Sequence, residues 1–481
     1  MVSAEHDHES PRPTGPAGAT SGRGRDVSDR PVPPSAAFAE QLQQATDAAL
    51  RTAQHPGSPF DGADPALHDR LEQAVDALAP ELVDLVLDLA AHPETAYEEV
   101  RSSRRIVEIL AAHGTDAELG AAGVDTAIRA EIVGERPTDG GTGTADDGLP
   151  TVAVLSEYDA LPGIGHGCGH NVIAAMGLGG FLSLAALAAQ DPSVVPGRVV
   201  YLGTPAEEGH SGKEVMARAG AFDGIDAAVM AHPYGYDLAD QLWLGRRTLT
   251  VDFHGHTAHA SAQPFMGRNA LDAASLMYQG IGLLRQQTPP TDRMHAIITQ
   301  GGQRASVIPD LARVEMYVRS PAPETLRELS RRVEDVARGA ALMTGCGLEV
   351  RWDEQPPSLP VRTNEALTGR WVQAQRRRGR EPLPRGVVSE TLAASTDFGN
   401  VSYRLPGMHP LIRVSGPDVA LHTREFAEAA TSDLAQASAA DGAYGLAATL
   451  LDVLHDGALR RAVADEFAGD GGPIDVPHYF D

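Results

Sequence analysis

From Pro65 to Gly114 apolar residues recur every three and four positions, first in LEQAVDALAPELVDLVLDLAA and again in EEVRSSRRIVEILAAHG, a spacing that predicts two amphipathic helices. The rhythm then changes to short, β-rich apolar runs: TAIRAEIV, TVAVL, RVVYLGT and AAVMA. Helical stretches at 171–190 and 212–221 alternate with these runs, which predicts an α/β domain built on a mostly parallel sheet. The stretch ERPTDGGTGTADDGLP between the first two runs reads as a flexible surface insertion.

A second block begins near Arg247, in the order strand (LTVDFHG), helix (NALDAASLMYQGIGLLRQQ), strand (HAIITQGG), strand (RVEMYVRS), helix (ETLRELSRRVEDVARGAALM) and strand (LEVRWD). Two strand-helix-strand halves of this kind make a ferredoxin-like α+β sandwich of about 110 residues, large enough for its own core. After PPSLP the chain resumes with HPLIRVSG and a long helix around SDLAQASAADGAYGLAATLLDVLHDGAL. The expected organisation is a disordered tail (1–36), a catalytic domain in two parts (37–246 and 357–465) interrupted by an inserted domain (247–356), and a C-terminal tail (466–481).

At 481 residues the chain is too long for one ordinary core, which agrees with two domains. Its 39 basic and 65 acidic residues leave a net charge of -26, so nucleic acid is not an expected partner. Two cysteines, Cys168 and Cys346, allow at most one disulfide, and the opening stretch lacks the apolar run of a signal peptide, so a reducing cytoplasm is expected. One segment, Val172 to Gln190, is uncharged and long enough to cross a bilayer. Gly177, Gly179 and Gly180 within it, its polar end and the absence of flanking basic residues instead predict a buried core helix, with no membrane partner.

Ligands of open parallel sheets bind beyond the carboxyl ends of the strands. TVAVL is followed by Glu157, Asp159, Cys168 and His170; VVYLGTPA by Glu207 and Glu208; AAVMA by His232; and the late LIRVSG by His422. Taken singly, a histidine after a strand is more often a structural residue, a Glu pair a solvated face and a lone cysteine a small buried apolar group. Together, thiolate, imidazole and carboxylate are the donor set of zinc and its neighbours, and Cys-x-His in a glycine-rich turn brings two donors to one small volume.

The motifs SEYDALPGIGHGCGHN, GTPAEEGHSG, AHP, GHTAHASAQP and LHTREF resemble the amidohydrolase branch of the dinuclear zinc metallopeptidases that includes aminoacylase and carboxypeptidase G. Within it, GRNALDAASLMYQGIGLLRQQ, SVIPDLARVEMYVRSP and STDFGNVSYRLPGMHP are most similar to the p-aminobenzoyl-glutamate hydrolase and β-alanyl-lysine dipeptidase types, over about residues 65 to 455. The resemblance implies two divalent ions, zinc or manganese with cobalt possible. Cys168 would be the bridging thiolate, and His170, Glu208, His232 and His422 would complete the ligands. It makes Glu207 the general acid/base and Asp159 the acid supporting the centre. His259 would reach a neighbouring subunit's site across a homodimer formed by the inserted domains, which would also serve as a lid. Asn269 and Arg319 match positions that hold a substrate carboxylate. His166 reads as a supporting or solvent-facing residue, and His92 and Glu94 match a stretch without an assigned role. Members of the branch carry arginine-alanine-aspartate where this chain has Leu155, Ser156 and Glu157, which leaves Glu157 without a role.

The expected activity is hydrolysis of the amide or peptide bond of a small N-acyl amino acid or dipeptide by a metal-bridging hydroxide, with Glu207 moving the proton that an amide's departing amine needs. Two competing readings are a metal-free cysteine amidohydrolase, with Cys168 activated by His166 or His170, and a catalytically silent binding protein of the same fold.

Overall fold

In the computed structural model, residue 31 and residues 33–135 and 149–481 are described. Most of the expected tail over 1–36, and the expected insertion except for its ends, lie outside the described residues. The chain divides after Ala45. Helix α1 (Ala37–Leu50) spans that division, and everything below belongs to the part from Thr46 onward.

Helices α2 (Pro65–Ala91) and α3 (Val100–Ala112) occupy the two segments with three-and-four apolar spacing. Strands β1 (Ala117–Leu119), β2 (Ile128–Val133) and β3 (Thr151–Ser156) follow. Next come α4 (His170–Gln190), β4 (Arg198–Gly203), α5 (Gly212–Arg218), β5 (Ala227–Val229) and β6 (His232–Tyr234). The second block supplies β7 (Gly245–His254), α6 (Ala270–Leu284), β8 (Arg293–Gln300), β9 (Leu311–Ser320), α7 (Pro323–Thr344) and β10 (Gly347–Trp352). The chain closes with α8 (Glu365–Arg377), α9 (Phe398–Ser402), β11 (Gly407–Met408), β12 (Leu411–Arg413), α10 (Arg424–Ala429), α11 (Asp433–His455) and α12 (Gly457–Gly469).

The central sheet runs β1-β2-β4-β3-β5-β11. Strand β3 pairs in parallel with β4 and β5, and β5 with β11, while β1 and β2 are antiparallel at one edge. Val152 to Leu155 are fully buried, as a central strand covered on both faces requires. Helix α4 packs against α2, α11 and β3, and its glycines are the reason it can. A Cβ on Gly177 would lie 2.2 Å from Ser156 Oγ, and one on Gly179 2.6 Å from Leu82. The uncharged run is therefore a helix buried inside the protein, with small residues where other elements approach closely.

Sheet β10-β7-β9-β8 is antiparallel throughout and carries a separate core, with Val251, Phe253 and Val314 packed against Met277 of α6 and Val333 of α7. One local expectation holds and one shifts. The strand text of HPLIRVSG forms as β12, which pairs with β6 in a small sheet of its own, while the two-residue β11 just ahead of it takes the edge of the central sheet. Pro410, which has no N–H to donate, separates them. Helix α5 ends early, at Arg218, ahead of the left-handed Gly220.

Candidate metal centre

Strand β3 delivers the first acids, because Glu157 and Asp159 follow its last residue and both are buried. The chain then turns to Cys168, Gly169 and His170, the first residue of α4. Gly169 has φ +82°, and a Cβ there would lie 2.9 Å from Pro233. Glycine is needed on both counts, and it lets Cys168 and His170 serve one cluster.

After β4, Ala206 is held at φ +60° immediately before Glu207 and Glu208. The clamp is Glu99, whose buried carboxylate accepts from Ala206 N at 2.9 Å, Tyr97 N at 3.0 Å and Thr126 Oγ1 at 2.9 Å. Burial, then the charge of Asp159, pushes the Glu99 carboxyl up to about 7. Glu94 accepts from Arg101 N and Ser102 N and so caps α3. The stretch around His92 and Glu94 thus has a structural task, and His92 itself is exposed. His232 opens β6, and His422, at φ +62°, donates its N–H to Gly167 O at 2.8 Å. That bond ties the late loop to the cysteine turn.

Among the described residues three donor groups interlock: Cys168, His170 and His232; Cys168, Glu208 and His422; and His170, Glu207 and Glu208, each with its ligand atoms within 4.8 Å of one another. The first two share the sulfur of Cys168. Cys168 Sγ is 3.5 Å from His232 Nε2, and Glu208 Oε1 is 3.4 Å from His422 Nε2. Donors bound tetrahedrally at zinc-type lengths lie about 3.3–3.7 Å apart, so these separations fit a shared ion without rearrangement.

Hydrogen bonds set the tautomers. Asp159 Oδ1 lies 3.0 Å from His170 Nδ1, and its Oδ2 accepts from Glu208 N at 2.9 Å. His232 Nδ1 donates to Pro233 O at 2.7 Å. His232 therefore presents its Nε2 lone pair to the cluster, and His170 does so when its ring is neutral, the arrangement a metal-binding histidine needs. Against burial, which lowers it, the charges of Asp159, Cys168 and Glu157 raise His170 well above the usual imidazole range, so a bound cation takes the place of its Nε2 proton. His170 Nε2 and Glu208 Oε1 are buried with no hydrogen-bond partner among the described residues.

The electrostatics agree. Burial, reinforced by Glu208, pushes the Cys168 thiol well up, so the thiolate needs a cation beside it. Burial, then the charge of His170, draws His232 down to about 4, which keeps it a neutral donor. Burial raises Glu207 well above the usual carboxylate range, with Glu157, Glu208 and Asp397 pushing the same way and His170 opposing. Burial draws His166 down to about 3, and its ring nitrogens have no side-chain hydrogen-bond partner.

A cavity of about 210 Å³ opens onto Cys168, Glu207, Glu208, His232 and His422. Its other wall carries Trp243, Arg246, Tyr317 and Arg319. Arg319 Nε is buried without a hydrogen-bond partner among the described residues. The Arg246 and Arg319 guanidinium groups lie 5.8 and 5.7 Å from the centre of the Tyr317 ring, and among the described residues neither is ion-paired to an acid. His259 and Asn269 line none of this cavity. His259 Nδ1 accepts from Ser261 N and Ala262 N, and Asn269 caps α6 through Leu271 N while lining a second cavity beside Arg304.

Sequence reasoning missed Arg246, His409 and Lys213. His409 is a buried ring stacked on Phe398 and edge-on to His232. Lys213 is the single lysine among the 39 basic residues, and that usage was the available signal. Its ammonium is fully buried against Glu157 and Asp397.

A strand-end cluster of acids, imidazoles and a thiol on an α/β sheet, facing a second antiparallel domain, defines a hydrolase of peptide or amide bonds. The chain belongs to the peptidase family M20/M25/M40, whose sequence model matches residues 147–440. It is 37% identical over 404 residues to the Xaa-Arg dipeptidase of Mus musculus, covering 83% of this chain and 92% of that protein. It is 28% identical over 468 residues to one of the subunits of the p-aminobenzoyl-glutamate hydrolase of Escherichia coli K12, covering 82% and 94%. Its fold is shared with a dinuclear metal binding peptidase of the M20 family from Bacillus subtilis, at TM-score 0.58 and 21% identity, over 78% of this chain and 98% of that one.

Proposed function

We propose that the protein is a two-metal amidohydrolase that cleaves the amide or peptide bond of a small N-acyl amino acid or dipeptide carrying a free carboxylate. The observation behind the reading is the pair of donor triads sharing Cys168. Cys168, His170 and His232 would hold one ion, and Cys168, Glu208 and His422 the other. Zinc or manganese suits these donors, with cobalt as a substitute. When bound, such ions polarise the scissile carbonyl and lower the pKa of water toward neutrality.

The chain's own groups supply the rest. Glu207, on the cavity wall beside the ligands, accepts the proton of the attacking water and passes it to the departing amine. Asp159 keeps His170 in the donor tautomer and braces the backbone of Glu208. Arg319, with Arg246, receives the substrate carboxylate, and this is the requirement that the names of the two relatives share, since a dipeptide and an aroyl-glutamate both end in one.

The protein acts as a homodimer through the second domain, with His259 serving the neighbouring subunit's site. Strand β8 lies at a sheet edge with Ile297 exposed, and Tyr278 and Leu283 of α6 are exposed as well. Asn269 is read as a helix cap. A reducing cytoplasm suits a thiolate ligand, and both cysteines are unpaired.

Dialysis against a strong chelator, followed by assay on N-acyl amino acids and dipeptides, tests the reading. Activity should vanish and return with zinc, manganese or cobalt. Activity that survives metal removal would instead support the cysteine nucleophile.

A further inference from the structure

Glu157 stands outside all three donor triads, and its surroundings ask for a cation. One carboxylate oxygen, Oε1, is bonded to the ammonium of Lys213. That ammonium also donates to Asp397 Oδ1 at 2.7 Å, and Asp397 Oδ2 accepts from Lys213 N at 2.9 Å. All three side chains are buried. Two carboxylates on one ammonium leave an excess negative charge in the interior, which is unfavourable unless compensated.

That excess has one outlet. Among the described residues Glu157 Oε2 has no hydrogen-bond partner, and it lies 3.4 Å from His170 Nε2, which has none either. With its Nδ1 proton held by Asp159, the neutral ring turns an Nε2 lone pair toward Oε2, and two buried acceptors then face each other. Acceptors so placed repel unless a proton or a metal ion sits between them. The separation equals that of two donors on a tetrahedral ion, about 3.4 Å at zinc-type bond lengths.

We infer that Glu157 is a further metal ligand, giving Oε2 to the ion held by Cys168, His170 and His232 while Lys213 anchors Oε1. This rests on the two-ion reading above and assigns the two sites different tasks. Cys168, His170, His232 and Glu157 saturate the inner ion with four protein donors, the pattern of a structural site. The open position then belongs to the outer triad, whose His422 side chain is 54% exposed at the cavity mouth. Lys213 is a positioning residue that fixes which oxygen of Glu157 faces the ion.

Crystals of the zinc-loaded protein, with the ions located by anomalous scattering, test this on the unaltered chain. The expected result is an ion about 2.0–2.2 Å from Glu157 Oε2. An ion on Cys168, His170 and His232 with Oε2 beyond about 3 Å would overturn the inference and leave the two-ion reading intact. No ion on loading would overturn both. In solution, chelator competition on Glu157→Gln should show one of the two ions bound about tenfold or more weakly, with a changed Co²⁺ absorption spectrum. Unchanged affinity for both ions in a variant with native circular dichroism would overturn the inference, and the crystallographic arm decides if that variant does not fold.

Discussion

Replacing Arg319 by Met keeps the apolar stem of the side chain and deletes its charge, so it isolates the guanidinium as the receptor of a substrate carboxylate. Truncating one partner of a desolvated charge pair costs about 2–5 kcal/mol. The cavity is open to solvent and Arg246 remains, so the lower part of that range, about 2–3 kcal/mol, applies. At about 1.4 kcal/mol per factor of ten, KM should rise about 30- to 150-fold. Stability should move the other way or not at all. Among the described residues Arg319 has no acid partner to lose, while burial and the charge of Arg246 both disfavour its protonated form. The assay is steady-state kinetics on a free-acid substrate and its carboxyl-amidated analogue, alongside a thermal melt. Wild type should prefer the free acid and the variant should not, with Tm unchanged or slightly higher. An unchanged KM, or a variant that still discriminates against the amide, would refute the assignment.

Glu207→Gln should retain both ions by elemental analysis and lose on the order of 100-fold or more in kcat, since the amide cannot accept the proton. Cys168→Ser should fall below two ions per chain after dialysis, because an alcohol is a poor anionic bridge at neutral pH. Gly169→Ala forces a left-handed residue and a 2.9 Å approach to Pro233, so a denaturant melt should show about 2–4 kcal/mol of lost stability. Asp252, paired with Arg313 and Arg351, is held down to about 2. Its folded pKa lies below its unfolded one, so its contribution is present above about pH 4 and fades as pH falls toward 2. Melts across that range should show Asp252→Asn less stable by about 1 kcal/mol at neutral pH, after allowance for the exposed arginines, and equal to wild type in acid.

The strand ends are legible because burial and chemistry share one period: an apolar run stops and the next polar residue lies at the sheet's edge. Thus the side chains of Cys168, His170, Glu207, Glu208 and His232 can be named from local text, and His422 from its motif. What the text cannot carry is contact between distant segments. Lys213 reads as an ordinary surface residue until Glu157 and Asp397, 56 positions before it and 184 after, close around it. Glu99 likewise looks like part of an acidic face, yet it fixes the turn that aims Glu207. Arg246 is hidden by sitting beside Arg247, which pairs with Asp353. Strand β11 escapes the text because it is two residues long, too short an apolar run to stand out.

One sulfur between two ions carries the whole proposed centre. X-ray absorption at the zinc edge of the fully loaded protein, with the metal content measured on the same sample, tests that directly. It should show two zinc ions per chain, each with a sulfur neighbour at about 2.3 Å and nitrogen or oxygen at about 2.0–2.2 Å. A single ion per chain, or two ions with no sulfur in their shell, would contradict it.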